Sequence, residues 1–396
     1  MFDVGAYTNI SPADARESMA DFIDSVSIQS SARSSIQVLH VGPGWGQRGG
    51  IASVLCELAT LKDRFQRDAI SFSFFETHGF QRKKHLFGFA LFDLPRFVVT
   101  MMRRVDIVHF HVSVRGSFYR KFVLCLIARL SGKKTIFHLH AGNFDLFESR
   151  AGKVTRRAVS WFVRNSDATV AVSTAIGKEV HRLGGDEVTL HIIGNTASLV
   201  EAVASREVAR SPEGDVAPYI AFAGRLTEAK GIRELMKAVG LLRKQGCLVQ
   251  LKLAGGGDIG HWQQVAREYG IDDCVMFLGW IDGDEKLAFY RNAQIFCMPS
   301  HYESFGIATL EAMFSGVPVI GTRLGGFLDL VEEGVTGYLV PANDHEALAA
   351  YIRTLIENPM LAASLGTAGR DRARKLFSSE AIVHRYIQCY REVKGE

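Results

Sequence analysis

Closely spaced cysteines are missing from this 396-residue sequence. Its six cysteines, Cys56, Cys125, Cys247, Cys274, Cys297 and Cys389, stand far apart and mostly inside apolar runs. That spacing argues against a zinc site or a redox pair and predicts buried free thiols, as suits a reducing cytosol. Long apolar runs are missing too: no uncharged stretch approaches the ~20 residues a spanning helix requires. The start, Met1-Phe-Asp-Val-Gly, has neither the basic residues nor the apolar core of a signal peptide. A cytoplasmic protein is expected, soluble or resting on the inner face of the cytoplasmic membrane. The fingerprint G-x-G-x-x-G with an acidic residue about 20 positions on is absent, which disfavours a dinucleotide-dependent oxidoreductase. No Asp-x-Asp metal motif is read at a strand end, so no metal or cofactor is expected.

What is present has the balance of a globular enzyme, with 47% apolar and 22% charged residues. The chain is too long for one ordinary core, which favours two domains. Its charge is uneven. Residues 1–205 carry 25 Lys+Arg against 18 Asp+Glu, while the remainder carries 21 against 24. The first half is thereby suited to meeting something anionic.

From Ile36 onward, short β-branched or aromatic runs alternate with helical stretches. The runs Ile36–Val41, Ile70–Phe75, Ile107–His111, Thr135–Leu139, Thr169–Val172 and Leu190–Ile193 form one set. The runs Tyr219–Ala223, Leu251–Ala254, Val275–Leu278, Ile295–Met298, Val317–Ile320 and Tyr338–Val340 form a second. Near-continuous apolar strands separated by helices predict parallel sheets covered on both faces, an α/β doubly wound architecture occurring twice. The polar, turn-rich stretch between the sets reads as a linker. The expected organisation is a lead-in over 1–34, a Rossmann-like domain over 35–205, a linker over 206–217, a second Rossmann-like domain over 218–376, and a C-terminal helix over 377–396 that can cross back to the first domain.

In such sheets ligands sit at the carboxyl ends of strands. The first strand runs into Gly42-Pro-Gly-Trp-Gly-Gln-Arg48-Gly49-Gly50 before a helix. This is either a tight turn or a place where backbone N–H groups approach an anion. The first strand of the second half ends in Gly224-Arg225 and, five residues on, Lys230-Gly231. Two cations past a strand end suit a diphosphate, Arg as a fork and Lys as a point charge; two solvated surface cations are the alternative. Gly255-Gly256-Gly257 follows the next strand. After Ile295–Met298 comes Glu303-Ser304-Phe305-Gly306 and a helix containing Glu311. Eight residues place the two carboxylates about 80° apart around a helix, so both can reach one side. Spacing alone equally permits a dipole-favouring acid and a surface charge.

The pattern Glu303-x7-Glu311 with Ser-Phe-Gly inside resembles the signature of family-4 retaining glycosyltransferases of the GT-B fold. Further motifs stand in that family's order: Arg48-Gly49-Gly50, His138-Leu-His140-Ala-Gly142, Gly224-Arg225 with Lys230-Gly231, Gly255–Gly257, Phe277-Leu-Gly279-Trp280, and Gly325-Gly326 before Gly334 and Gly337. The resemblance spans about residues 36–376 and implies two facing Rossmann-like domains with a deep cleft. It implies that Arg225 and Lys230 neutralise the leaving pyrophosphate of a nucleotide-sugar donor. Glu311 would bind the ribose, Glu303 the donor-sugar hydroxyls near the reacting carbon, and His140 would lie beneath the sugar. Ser304, Phe305 and Gly306 would offer backbone N–H groups. Gly224 and Gly256 would border the donor, Gly279 and Trp280 would meet the base, and Gly49, Gly50 and Asn195 would line the acceptor side of the cleft. Two departures stand out: Gly194-Asn195-Thr196 where the family often has Pro-Asn-Gly, and Asp329 where a Glu is usual.

The resemblance implies a retaining, metal-independent transfer of a sugar from a GDP- or UDP-linked donor, GDP-mannose slightly favoured, to a glycan hydroxyl. The opening glycines look like those of bacterial exopolysaccharide and O-antigen transferases acting on polyprenyl-diphosphate-linked glycans. The same fold also serves hydrolysing sugar-nucleotide epimerases, and a GT-B scaffold can persist as a non-catalytic binding subunit. Basic and aromatic residues mix over 80–104, including Arg82-Lys83-Lys84, and over 115–134, including Arg120-Lys121. Such mixtures suit an anionic membrane surface or, equally, ordinary helices with solvated outer faces. Nucleic acid is not an expected partner, because no reader motif accompanies the charge.

Overall fold

The computed structural model describes residues 35–44, 47, 49–77, 87–198, 200, 201 and 218–396. The lead-in over 1–34, the linker over 206–217, Arg48 and Arg82-Lys83-Lys84 lie outside the described residues. The first domain holds β1 (Ile36–Pro43), β2 (Ile70–Thr77), β3 (Ile107–Val112), β4 (Lys134–Leu139), β5 (Ala168–Ala171) and β6 (Leu190–Ile192). The second holds β7 (Tyr219–Ala223), β8 (Gln250–Ala254), β9 (Val275–Gly279), β10 (Ile295–Met298), β11 (Val319–Thr322) and β12 (Gly337–Val340). The expected strand over Val317–Ile320 is displaced by two residues. Pro318 has no N–H for a ladder, so pairing begins after it.

Every strand pairing is parallel, with orders β2-β1-β3-β4-β5-β6 and β12-β11-β10-β7-β8-β9. The central strands are buried on both faces: all six residues of β3 and all four of β10 are enclosed. In the second sheet the chain winds outward in opposite directions from the adjacent β7 and β10. Their divergent loops leave a crevice at the strand ends, the topological switch point where α/β sheets bind ligands.

The C-terminal helix Ser379–Lys394 ties the two domains together. Ser378 Oγ caps it by accepting from Ala381 N at 3.3 Å, and Glu380 lies in its first turn. Glu201, at the end of the first domain's chain, accepts from Ser379 N at 2.9 Å and Ser379 Oγ at 2.6 Å. The far end lies on the first domain, where Arg391 pairs with Asp68 at 2.9 Å and Lys394 with Asp106 at 2.6 Å. Those exposed pairs add little. The stronger hold is burial of Ile382, Val383, Tyr386, Ile387 and Tyr390. All six cysteines are free; Cys125, Cys297 and Cys389 are buried and Cys56 is exposed. No helix among the described residues is long and apolar enough to cross a membrane.

Candidate active site

The loops after β7 and β10 are pressed together by glycine. Gly231 has φ 69°, and a Cβ there would run into the carbonyl of Pro299. His301 N donates to Ala229 O at 2.9 Å across the same seam. Lys230 is thereby held so that its Nζ donates to Glu303 Oε2 at 2.7 Å. Arg225, nearby in the same loop, is exposed and has no ion pair among the described residues. The glycines after β8 let that loop approach: Gly255 (φ 137°) abuts Gly224 O, and Leu226 N donates to Gly256 O at 2.9 Å. Gly256 itself has open space where a side chain would stand.

Glu303 is fixed from behind by the other glycine pair. Gly326 N donates to Glu303 O at 3.0 Å, while a Cβ on Gly325 (φ 54°) would collide with that same oxygen. A Cβ on Gly326 would strike Phe305. Gly306 (φ 103°) then starts the helix Ile307–Phe314. Among the described residues no acceptor takes the N–H of Ser304, Phe305 or Gly306. Unpaired amides at a helix start beside a carboxylate and two cations can receive phosphate oxygens and sugar hydroxyls together. The Phe305 side chain serves a different purpose. It is buried against Phe377 at a centroid distance of 5.4 Å and covers Gly194 of the first domain.

Glu311 is nearly enclosed and held by partners the sequence reading did not find. Lys286 Nζ donates to its Oε1, and Tyr290 OH donates to its Oε2 at 2.7 Å. Both partners come from the helix Gly283–Arg291, one turn apart and so on the same face of it. Burial, then the Glu311 charge, pushes the Tyr290 phenol well above its usual range, so it stays a donor. Glu303 and Glu311 are thus not one pair of acids; each has its own cation. Gly279 (φ 70°) and the half-exposed Trp280 lie at the β9 end. Asp282-Gly283-Asp284 does have Asp-x-Asp spacing just past β9, which the sequence reading passed over. Both acids are exposed and open a helix, where they favour its dipole.

The first domain meets this loop at His138–Gly142. A Cβ on Gly142 would lie 3.1 Å from Ser304 N, so the interdomain approach depends on that glycine. A cavity of about 270 Å³ opens there, lined among others by Ala141, Gly142, Tyr302, Glu303 and Gly325. His140, immediately before it, is partly exposed. Burial, then the Lys121 charge, lowers its pKa to about 3, so it is neutral at pH 7. Asp329 Oδ2 accepts from Thr174 N at 2.6 Å, another interdomain bond. Asn195 is buried, with Oδ1 unpartnered. Gly49 and Gly50 are exposed, with open space around both.

The basic segment 115–134 is divided between two faces: Arg115, Tyr119, Val123, Leu126, Arg129 and Leu130 are exposed, while others turn inward. Arg120, Lys121 and Phe118 are buried, and Arg129 and Lys134 pair with Asp167. The helix Gly116–Leu130 covers the sheet, and Phe118, Arg120 and Lys121 fall on its inner face. Sequence reasoning also missed His40, His109 and His111, which with His138 surround His140 and are considered further below.

This construction, two facing doubly wound domains with cations, a carboxylate and free amides in the cleft, defines a GT-B glycosyltransferase. Two family descriptions match consecutive parts of the chain: Glycosyltransferase Family 4 over residues 36–199 and Glycosyl transferases group 1 over residues 204–372. The chain belongs to the family-4 glycosyltransferases. It is 29% identical over 294 residues to glycogen synthase of Mycobacterium tuberculosis, covering 74% of this chain and 70% of that protein. Among solved structures, sucrose-phosphate synthase from Thermosynechococcus elongatus superposes with a TM-score of 0.72 at 22% identity, covering 91% of this chain and 99% of that one. Anabaena Alr3699/HepE in complex with UDP-glucose gives 0.69 at 21% identity, covering 90% and 100%.

Proposed function

We propose that this glycosyltransferase moves a sugar from a nucleoside-diphosphate donor to a hydroxyl of a glycan acceptor with retention, without a metal. The Lys230–Glu303 pair at the β7/β10 switch point, facing the His140–Gly142 loop, carries this reading. Arg225 and Lys230 would stabilise the charge that develops on the departing diphosphate, while Glu303 and the Ser304–Gly306 amides orient the sugar. The bond from the anomeric carbon to phosphate oxygen breaks and the bond to the acceptor oxygen forms on the same face. The acceptor's proton passes to the departing phosphate. Glu311, fixed by Lys286 and Tyr290, would accept from ribose hydroxyls. A UDP-linked donor gains support from the neighbour bound to UDP-glucose; a GDP-linked sugar such as GDP-mannose remains the competing choice. Offering a panel of sugar nucleotides, measuring nucleoside diphosphate release and assigning the product anomer by NMR tests the reading. An inverted product, or release unchanged in both Arg225→Ala and Glu303→Ala, would sink it.

A lipid-linked acceptor is supported by the segment over 87–104. Phe87, Leu91, Phe92, Val98, Val99 and Met102 are exposed beside the exposed Arg96, Arg103 and Arg104. Apolar side chains rimmed by cations suit the headgroup region of an anionic bilayer. A polyprenyl-diphosphate-linked glycan of the kind used in exopolysaccharide or O-antigen assembly would be presented there.

A further inference from the structure

One face of the first sheet is lined with imidazoles. Parallel register places His40 on β1 beside His109 on β3, and His111 on β3 beside His138 on β4. Since side chains two apart share a face, His140 joins the same row. His40, His109, His111 and His138 are buried, and the C-terminal helix lays Tyr390 over them. The rings connect end to end. His140 Nε2 is 2.9 Å from His111 Nδ1, and His111 Nε2 is 2.9 Å from His40 Nδ1. His40 Nε2 is 3.4 Å from the Tyr390 hydroxyl, which is 3.1 Å from His109 Nδ1. His109 Nε2 is 3.0 Å from His138 Nδ1, and His138 Nε2 is buried without a partner.

Burial drives every ring toward the neutral form: His40 falls to about 3, and His109, His111 and His138 fall well below the usual range. A neutral imidazole has one donor and one acceptor, so consecutive links must run in one direction. The Tyr390 hydroxyl has a single proton. Unless that proton goes unpaired, it donates to one histidine and accepts from the other, carrying the direction across. Two directions remain. One leaves His138 with a buried N–H lacking an acceptor; the other leaves it a bare lone pair. Orphaned buried N–H groups are the rarer kind. The chain therefore runs from His138 towards His140, with every ring protonated at Nδ1.

We propose that this chain of imidazoles, bridged by Tyr390, locks His140 in the Nδ1–H tautomer and presents it to the cleft as a neutral hydrogen-bond donor. His40, His109, His111, His138 and Tyr390 are then positioning residues for His140, whose place beneath the donor sugar, implied by the family resemblance, rests on the function proposed above. A metal is the competing use of the cluster, since His109, His111 and His138 offer ligand atoms within 4.8 Å of one another. Within that trio, His109 and His138 are already joined at a length that is wrong for it. At the usual Zn–N distance, tetrahedral ligand nitrogens stand roughly 3.3 Å apart; His109 Nε2 and His138 Nδ1 are 3.0 Å apart, a hydrogen bond, and His111 is engaged by His40 and His140 instead.

The test is long-range 1H–15N correlation on the full-length protein with 15N-labelled histidine, at neutral pH. All five rings should show the Nδ1–H pattern, which is the minor form of free histidine in water. Tyr390→Phe should break the chain, so that His140 shifts toward the Nε2–H or averaged pattern, and turnover should fall several-fold with the donor KM nearly unchanged. His140 found as Nε2–H or averaged in the wild-type protein, or unmoved in Tyr390→Phe, overturns the proposal. So does zinc present in stoichiometric amount by elemental analysis. The wild-type spectrum decides even if the variant does not fold. It also does so without any transfer reaction, so failure of the proposed activity and failure of the tautomer lock are separately visible.

Discussion

Lys230 Nζ lies 2.7 Å from Glu303 Oε2, joining the loops that diverge from the adjacent strands β7 and β10. The cation expected to meet a diphosphate and the acid expected to meet a sugar are thus neighbours, and each sets the other's position. Lys230→Ala and Arg225→Ala should each lower donor-dependent nucleoside diphosphate release by roughly 100-fold, a loss of about 3 kcal/mol of transition-state stabilisation. Steady-state release assays measure this directly.

Glu303 and Glu311 should separate kinetically because they have different partners. Glu303→Gln should depress kcat strongly. Tyr290→Phe removes one hydrogen bond from the Glu311 carboxylate, worth about 1.5 kcal/mol, and should raise the donor KM about ten-fold with kcat nearly intact. Initial-rate kinetics over donor concentration distinguish the two; a kcat effect from Tyr290→Phe would refute the division of labour.

Glycine substitutions should sort by what stands beside them. Gly325 has φ 54° and abuts Glu303 O, so Gly325→Ala should cost at least 1–3 kcal/mol and abolish activity. Gly256→Ala meets open space, so its melting temperature should stay within a degree or two while the donor KM rises. Thermal melts beside kinetics give both readouts.

Membrane binding should depend on the exposed apolar row. The double variant Leu91→Ser, Phe92→Ser should lose flotation with anionic vesicles at low salt, whereas Lys121→Met should float like the parent because Lys121 is buried.

Stability should vary with pH in two windows. Burial lowers His40 to about 3, so between about 6.5 and 3 the unfolded chain binds a proton that the folded chain does not, and stability falls with falling pH. Burial also lowers Lys121 to about 7 from its usual 10.5. Between those values the unfolded chain again holds the extra proton, so stability rises as pH rises. Urea unfolding from pH 7 to 10 should show that rise in the parent and a flatter course in Lys121→Met.

Much of this was legible in the chain itself. Apolar runs such as Ile107–His111 and Ile295–Met298 fixed twelve parallel strands, because a strand buried on both faces must be apolar along its length. Glycines at 231, 306 and 325 marked backbone that only glycine adopts readily. The ordered motifs from Gly49 to Glu311 identified the family. Tertiary structure alone decided who pairs with whom. Glu311 takes Lys286 and Tyr290 because a separate helix packs beside it, and no local spacing links positions 286 and 311. Arg120 and Lys121 face inward because the helix carrying them must cover the sheet, although their side chains read as surface. The imidazole row arises only when β1, β3 and β4 pair in register and the last helix returns across them. Alternation along each strand is a local property; adjacency between strands is a long-range one, set by packing and topology.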